Sequence, residues 1–317
     1  MRIVWIATAL LVPVLVIGAA PPQQDSSKDL SWAYPVADTN LPATDESAPR
    51  RVPGSMKSYT MEQIDDLMNP PDWYPDEHPA APRIVTHGGG AGVLACGACH
   101  LMSGSGHPES ATLSGLSPEY MERELADFKS GVRTDRGRMI TIAQGLSPDD
   151  AREAAKYFAS LKPVQWVKVV EADTVPKSFV NGGRMRLPVA GGGSEPLGNR
   201  IIELPLNPDL VLDRDPHSGF TGYVPVGSVE KGEKLAATGG GKTIQCSICH
   251  GENLLGLGEV PRIAGLHPIY IVRQLYNFKD GDRGGNSAAL MKGVVANLND
   301  EDILDLAAYV SSKNPVH

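Results

Sequence analysis

Two short stretches place two thiols and an imidazole at one fixed spacing: Cys96-Gly-Ala-Cys99-His100 and Cys246-Ser-Ile-Cys249-His250. Two thiols separated by two residues at a helix start reach the two vinyl groups of one porphyrin. The adjacent His then points at its iron. Cys-x-x-Cys-His is the signature of covalent c-type haem attachment, so the pair predicts two covalently attached haem c groups. The chain has four Cys, and the motifs use all of them. A disulfide framework gives no reason for a His after each pair.

Rival chemistries fit less well. Zinc would be one ligand short at each Cys2His set and would draw Cys pairs from two separate loops. Thiol redox exchange at Cys-x-x-Cys belongs with a βαβ pattern that is missing here. "AATGGGKT", Ala236 to Thr243, fits a relaxed phosphate loop. Such a loop needs a strand before the glycines and a helix directly after Lys-Thr. The preceding "SVEKGEKLAA" instead reads as a helix capped by Ser228, and only two residues separate Thr243 from Cys246.

The motifs belong to a repeat. His250 follows His100 by 150 residues, and the same shift superposes Gly106 on Gly256, Gly115 on Gly265, Tyr120 on Tyr270 and "FKSGVR" on "FKDGDR". After a two-residue insertion Met139 falls on Met291 and Tyr157 on Tyr309. Each copy reads as a Cys-x-x-Cys-His helix start, a middle helix, a loop with one Met and a final helix. Ser117, with Pro118 after it, caps the first middle helix and Gly131 ends it. Met121, Leu125 and Phe128 form its apolar face, as Ile271, Leu275 and Phe278 do in the second copy. Ser147 and Asn299 cap the final helices, the second of which buries Ile303, Leu306, Ala307 and Val310. A lone Met is usually core filler. Two at matched positions, Met139 and Met291, are instead expected as distal iron ligands opposite His100 and His250. His267, opposite Ser117, is expected as a capping or propionate-side residue. His78, His87, His107, His217 and His317 have no repeat partner and are expected to be solvated or locally bonded.

Each copy resembles a class I cytochrome c domain, and the tandem resembles the two-haem cytochromes of the c-four group. The matching residues are "CGACH", "LSGLSPEY", "FKSGVR", Met139 and "LSPDDAREAAKYFASL", then "CSICHG", "IAGLHPIY", "FKDGDR", Met291 and "LNDEDILDLAAYVSS". They cover residues 81–163 and 223–317. The resemblance implies a mainly α fold with two tandem cytochrome c domains. It implies a backbone carbonyl buttressing each proximal His, a role for which Pro261 is suited and in which Ala111 stands in the first copy. It also implies that Tyr120, Arg133, Tyr270 and Arg283 lie near the haem propionates.

The flanking chain must position these units. Residues 1–20 hold one Arg, an apolar run from Ile3 to Ile17 and small residues, the layout of an export signal. Pro21 would hinder cleavage after Ala20, so an N-terminal membrane anchor is the alternative. Residues 21–80 are a Pro-rich extension with one short helix at "TMEQIDDLM", where Thr60 and Gln63 suit a capping box. "PPDWYPDEHPAAP" is expected to lie extended on the surface of the first unit. Residues 164–222 are an inserted, partly β segment, with "WVKVVEADTV" and "NRIIELP" alternating like short strands.

At 317 residues the chain has room for two ordinary domains. A hydrophobic share of 41% suits a globular protein, and a formal charge of -8 argues against nucleic acid and leaves a basic docking face as a plausible partner. His/Met ligation leaves no open iron position, which favours one-electron transfer over catalysis. The expected function is electron carriage in the periplasm between a respiratory or dehydrogenase donor and a terminal acceptor. A two-haem peroxidase, or a cytochrome subunit of a periplasmic dehydrogenase complex, is the alternative.

Overall fold

The computed structural model describes residues 30–38, 47–90, 92–135, 137–183 and 185–316. The N-terminal run with the layout of an export signal and His317 lie outside them. The chain divides into Met1–Leu30 and Ser31–His317, and the elements below belong to the second unit.

In the extension, Thr60 and Gln63 form the expected capping box on helix α1 (Met61–Ile64), at 3.2 and 2.9 Å. Met61 and Ile64 turn into a small core with Val52, Trp73 and Tyr74. The "PPDWYPDEHPAAP" run therefore differs from the expected surface strip. Trp73 is buried, and its indole N–H donates to the Asp213 carbonyl at 2.7 Å. Left on the surface, two large aromatic side chains would forgo burial worth roughly 2–3 kcal/mol each.

The first copy comprises α2 (Arg83–Thr86), α3 (Gly97–His100), α4 (Pro118–Ser130), α5 (Met139–Gly145) and α6 (Pro148–Ser160). Ser117 accepts from Tyr120 N–H, Pro118 opens α4, and Gly131 ends it at φ 77°. Tyr120 and Met121 of α4 pack with Tyr157 and Phe158 of α6 in the main core of this copy.

The inserted segment has β1 (Val167–Glu171), β2 (Thr174–Pro176), β3 (Ser178–Val180), β4 (Arg186–Pro188), β5 (Ser194–Pro196), β6 (Ile202–Pro205), α7 (Pro208–Leu212) and β7 (Phe220–Val224). β7 is central, parallel to β1 and antiparallel to β6, while β2–β5 and β3–β4 form two small antiparallel pairs. This segment touches both copies. Trp166, Val167, Val211 and Phe220 pack around Leu101 of the first. Glu203 reaches the first turn of the middle helix of the second.

The second copy comprises α8 (Ser228–Thr238), α9 (Ser247–His250), α10 (Pro268–Asp280), α11 (Ala288–Val295) and α12 (Asp300–Ser312). Asn299 caps α12 in a capping box with Asp302, and Ile303, Leu306, Ala307 and Val310 are buried as expected. Ser228 is not the cap of α8. Gly227 holds that position at φ 84°, and Ser228 is the first helical residue, buried and bonded to Asp305 of α12.

Two local readings change. The Cys-x-x-Cys-His stretches are single turns that stop at the His, because Leu101 and Gly251 take φ of 60° and 75° and cannot continue a right-handed helix. The Met segments are not loops. Met139 opens α5 and Met291 sits within α11, since "MITIAQG" and "AALMKGVV" contain no Pro and enough apolar residues to pack a short helix on α4 and α10.

Candidate functional site

Each motif is built the same way. The N–H groups of His100 and His250 donate to the carbonyls of Cys96 and Cys246, at 3.0 and 2.9 Å. The His carbonyls accept in turn from Gly106 N–H at 3.0 Å and Gly256 N–H at 2.8 Å. Both glycines have positive φ, 67° and 94°, and a Cβ on Gly106 would stand 2.6 Å from the Ala111 carbonyl oxygen. Glycine is needed there because only it combines that φ with that approach.

The loop closed by each glycine supplies the imidazole's partner. His100 Nδ1 donates to the Ala111 carbonyl at 2.7 Å, and His250 Nδ1 to the Pro261 carbonyl at 2.9 Å. The spacing is eleven residues in both cases. Ala111 thus performs in the first copy what Pro261 performs in the second, since the bond uses a backbone oxygen. Nδ1 is fixed as the donor, and Nε2 is the nitrogen left for a metal. Burial lowers the pKa of both rings, against the opposing pull of the carbonyl bonds, and favours the neutral form that ligates.

Cys96 and Cys246 lack the electrostatics of a redox thiol. Burial raises Cys96 to about 12 and Cys246 to about 11, the reverse of a reactive thiolate. None of the four is in a disulfide. Among the described residues no three His, Cys, Asp or Glu side chains gather so as to hold a metal ion. The phosphate-loop reading also fails on its structure. Helix α8, not a strand, precedes the glycines, Lys242 Nζ binds Asp302 at 2.8 Å, and Thr243 Oγ1 donates to the Val294 carbonyl.

Met139 and Met291 hold matched, half-buried places on the helices that pack against α4 and α10. Tyr120, Arg133, Tyr270 and Arg283 come together where the copies meet. Arg283 Nη2 donates to Tyr120 Oη at 2.8 Å and to Glu124 at 2.9 Å, Arg133 binds the other Glu124 oxygen, and both guanidiniums donate to Gln274 Oε1 at 3.0 Å. Glu124 and Gln274 are repeat equivalents that the sequence reading passed over. Two guanidiniums gathered on one carboxylate would suit this cluster to anionic propionates.

His267 corrects its expectation. It sits at the N-cap position of α10 but caps nothing. Its Nδ1 bonds Glu203 Oε2 at 2.7 Å, and Glu203 Oε1 accepts Ile269 N–H at 2.7 Å, so the inserted segment supplies the cap. His78, His87, His107 and His217 each have a nearby partner, as expected, although the bond of His217 to Glu77 is distant in sequence.

Comparison with known proteins bears on up to about 70% of the chain. The family model for cytochrome c matches residues 229–314. Cytochrome c4 of Azotobacter vinelandii is 33% identical over 229 residues, which is 68% of this chain and 82% of that protein. Cytochrome c4 of Stutzerimonas stutzeri is 26% identical over 234 residues, 69% of this chain and 84% of that one. The thiosulfate dehydrogenase electron acceptor of Thiomonas intermedia is 24% identical over 227 residues, 70% and 79% respectively. At this identity and coverage, and with both attachment motifs present, the chain belongs to the cytochrome c4 family: it is an electron-transfer protein, not an enzyme, with two covalently bound haem c groups.

Proposed function

We propose that Cys96 and Cys99 attach one haem and Cys246 and Cys249 the other, with His100 and His250 as proximal ligands and Met139 and Met291 as distal ones. The observation that carries this is the matched pair of Nδ1–carbonyl bonds at His100 and His250, each eleven residues long. A bound haem supplies a one-electron iron couple at each site. The protein's part is to orient and enclose. Gly106 and Gly256 fold the loops that present the Ala111 and Pro261 carbonyls, and those carbonyls hold each imidazole with Nε2 available. Tyr120, Arg133, Tyr270 and Arg283 provide the propionate contacts, and their shared network holds the two propionate sides close. The domain bounds that follow are 81–163 and 223–317, with 164–222 between them.

The chain works in the periplasm, taking single electrons from a respiratory or dehydrogenase donor and passing them to a terminal acceptor. Attachment to the inner membrane through residues 1–20 is the finer reading. Among the described residues no helix is long and apolar enough to cross a membrane. A second reading, a cytochrome subunit serving a dehydrogenase, is favoured by the relative from Thiomonas intermedia, a named dehydrogenase electron acceptor. Denatured, purified protein tests the assignment: it is expected to keep its haem absorbance and a mass increment of two haems. Cys96→Ser with Cys99→Ser is expected to remove one haem only. Loss of both, or of neither, would overturn the pairing.

A further inference from the structure

The two attachment motifs bury their His equally but differ in the exposure of the residues between and beside the cysteines. Ile248, between the cysteines of the second motif, is 62% exposed, while its repeat partner Ala98 is 0% exposed. Gln245 and Cys249 are exposed where Ala95 and Cys99 are buried or half-buried. Leu257 is 63% exposed and Ile244 54%, whereas their partners His107 and Leu94 are half-buried.

The chain's own flanking segments cause the difference. Arg214 of the inserted segment donates to the Ala98 carbonyl, to the Ile64 carbonyl of α1 at 2.8 Å and to Asp65 at 3.4 Å. One guanidinium therefore ties insert, extension and first motif together. Ala95 N–H donates to the Leu67 carbonyl at 3.0 Å, and Trp166 Nε1 donates to the Gly106 carbonyl at 3.1 Å. Among the described residues no comparable segment lies over Ile244, Ile248 and Leu257.

We propose, resting on the haem assignment above, that the extension and insert form a fixed cap over the first motif. The Ile244–Ile248–Leu257 face of the second motif is then the docking port through which electrons enter and leave. Its occupant is a redox protein with an apolar, uncharged face around its own cofactor. Charge selects that partner. In a chain of net charge -8, the run from Ile244 to Gly258 carries Glu252 and no Lys or Arg. Nearby charges are internally matched, Lys242 with Asp302 and Glu259 with Arg123. A basic partner would find little to steer it here. Exposed Ile and Leu side chains gain instead by being covered. One electron passes at each encounter: the donor's metal is oxidised, a ferric haem of this chain is reduced, and no bond is made or broken.

The test uses the full holoprotein and, as probe, a reduced small blue-copper protein whose copper-ligand His lies in an uncharged apolar face. The expected rate of electron transfer changes less than about threefold between low and high salt, since screening acts on charged encounters. Leu257→Lys and Ile244→Lys are each expected to slow it about tenfold, mostly through weaker association. Reduction of both haems by ascorbate should be unchanged in the variants. With redox-inert zinc-substituted probe, amide exchange is expected to slow across residues 244–258. Protection across residues 94–103 instead, unchanged rates in both variants, or a salt dependence above about tenfold would overturn the port. Failure of ascorbate to reduce two haems reversibly in the wild type would count against the haem assignment itself.

Discussion

Arg133 and Arg283, equivalent residues of the two copies, lie side by side and share one carboxylate, Glu124, and one amide oxygen, Gln274 Oε1. Their backbones also pair across the copies as an antiparallel bridge, and each guanidinium covers its own copy's ring, Phe128 or Phe278, at 4.3 and 4.4 Å. Further buried arginines of the second copy reach the first: Arg262 to the Ser114 carbonyl, and Arg273 to Glu109 and the Pro108 carbonyl. The two copies are thus locked together through these arginines.

Glu124→Gln tests that lock. Burial alone would push the Glu124 carboxyl up, but the charges of Arg283 and Arg133 outweigh it and hold its pKa below the usual value. A depressed folded pKa stabilises above the unfolded value and is lost as pH falls through the folded one. Wild-type unfolding free energy is therefore expected to drop below about pH 4, the unfolded carboxyl range. The variant should lose roughly 3 kcal/mol at pH 7, the cost of stranding buried cations. Urea unfolding between pH 3 and 7 measures both, and the acid slope of the variant should be flatter.

Asp305 behaves in the opposite sense. It lies in α12 against α8, and burial raises its pKa to about 6, against the opposing effects of Lys231 and a Ser228 hydrogen bond. A raised carboxyl pKa means that the folded state holds the proton more tightly. Its stabilising contribution is present below the unfolded value near 4 and disappears as pH rises to about 6. Asp305→Asn is expected to raise the melting temperature at pH 7 and to leave it unchanged at pH 3.5. A gain of equal size at both values would assign the effect to packing.

The repeat, the caps at Thr60, Ser117, Ser147 and Asn299 and the buried faces of α4 and α12 were legible in the sequence because each rests on local chemistry. So was the family, since its motifs are contiguous. Glu203 and Arg214 were not legible. In "NRIIELP" an alternating pattern assigns Glu203 to a wet face, yet β6 is buried along its whole length because the sheet is wedged between the copies. Arg214 gains its role from partners about 150 and 116 residues away, a relation that no window of sequence displays. The short helices under Met139 and Met291 were missed for a related reason. They pack on α4 and α10, and neither has a side-chain bond from its N-cap residue; Met139 N–H donates instead to Asp135 Oδ2, four residues back, at 3.2 Å.

Glu203 offers a test of the insert's structural role. It accepts from both Ile269 N–H and His267 Nδ1 in a site sealed from water. Glu203→Ala leaves a helix N-terminal N–H and a buried imidazole without partners, at a cost of about 2–4 kcal/mol. Glu203→Gln keeps an acceptor for one of them and should recover about half. Denaturant titration of the holoprotein measures the difference. Equal effects of Ala and Gln would show that the charge, not the cap, is what α10 needs.

The distal ligands are the part of the site that a direct exchange of donors tests. Met139 and Met291 are matched in the repeat and sit on equivalent helices, so each should govern one haem independently of the other. A thioether raises the reduction potential relative to imidazole, and axial ligands command a range of about 0.8 V. Met291→His is therefore expected to lower one potential by on the order of 0.1 V and leave the other in place. Met139→His should do the same to the other haem, and each variant should lose about half of the weak red-edge absorption that Met–Fe(III) bonding gives. Potentiometric titration with optical detection reads both quantities at once. If both variants kept two unshifted potentials, the ligands would have to come from elsewhere, and α5 and α11 would be packing elements only.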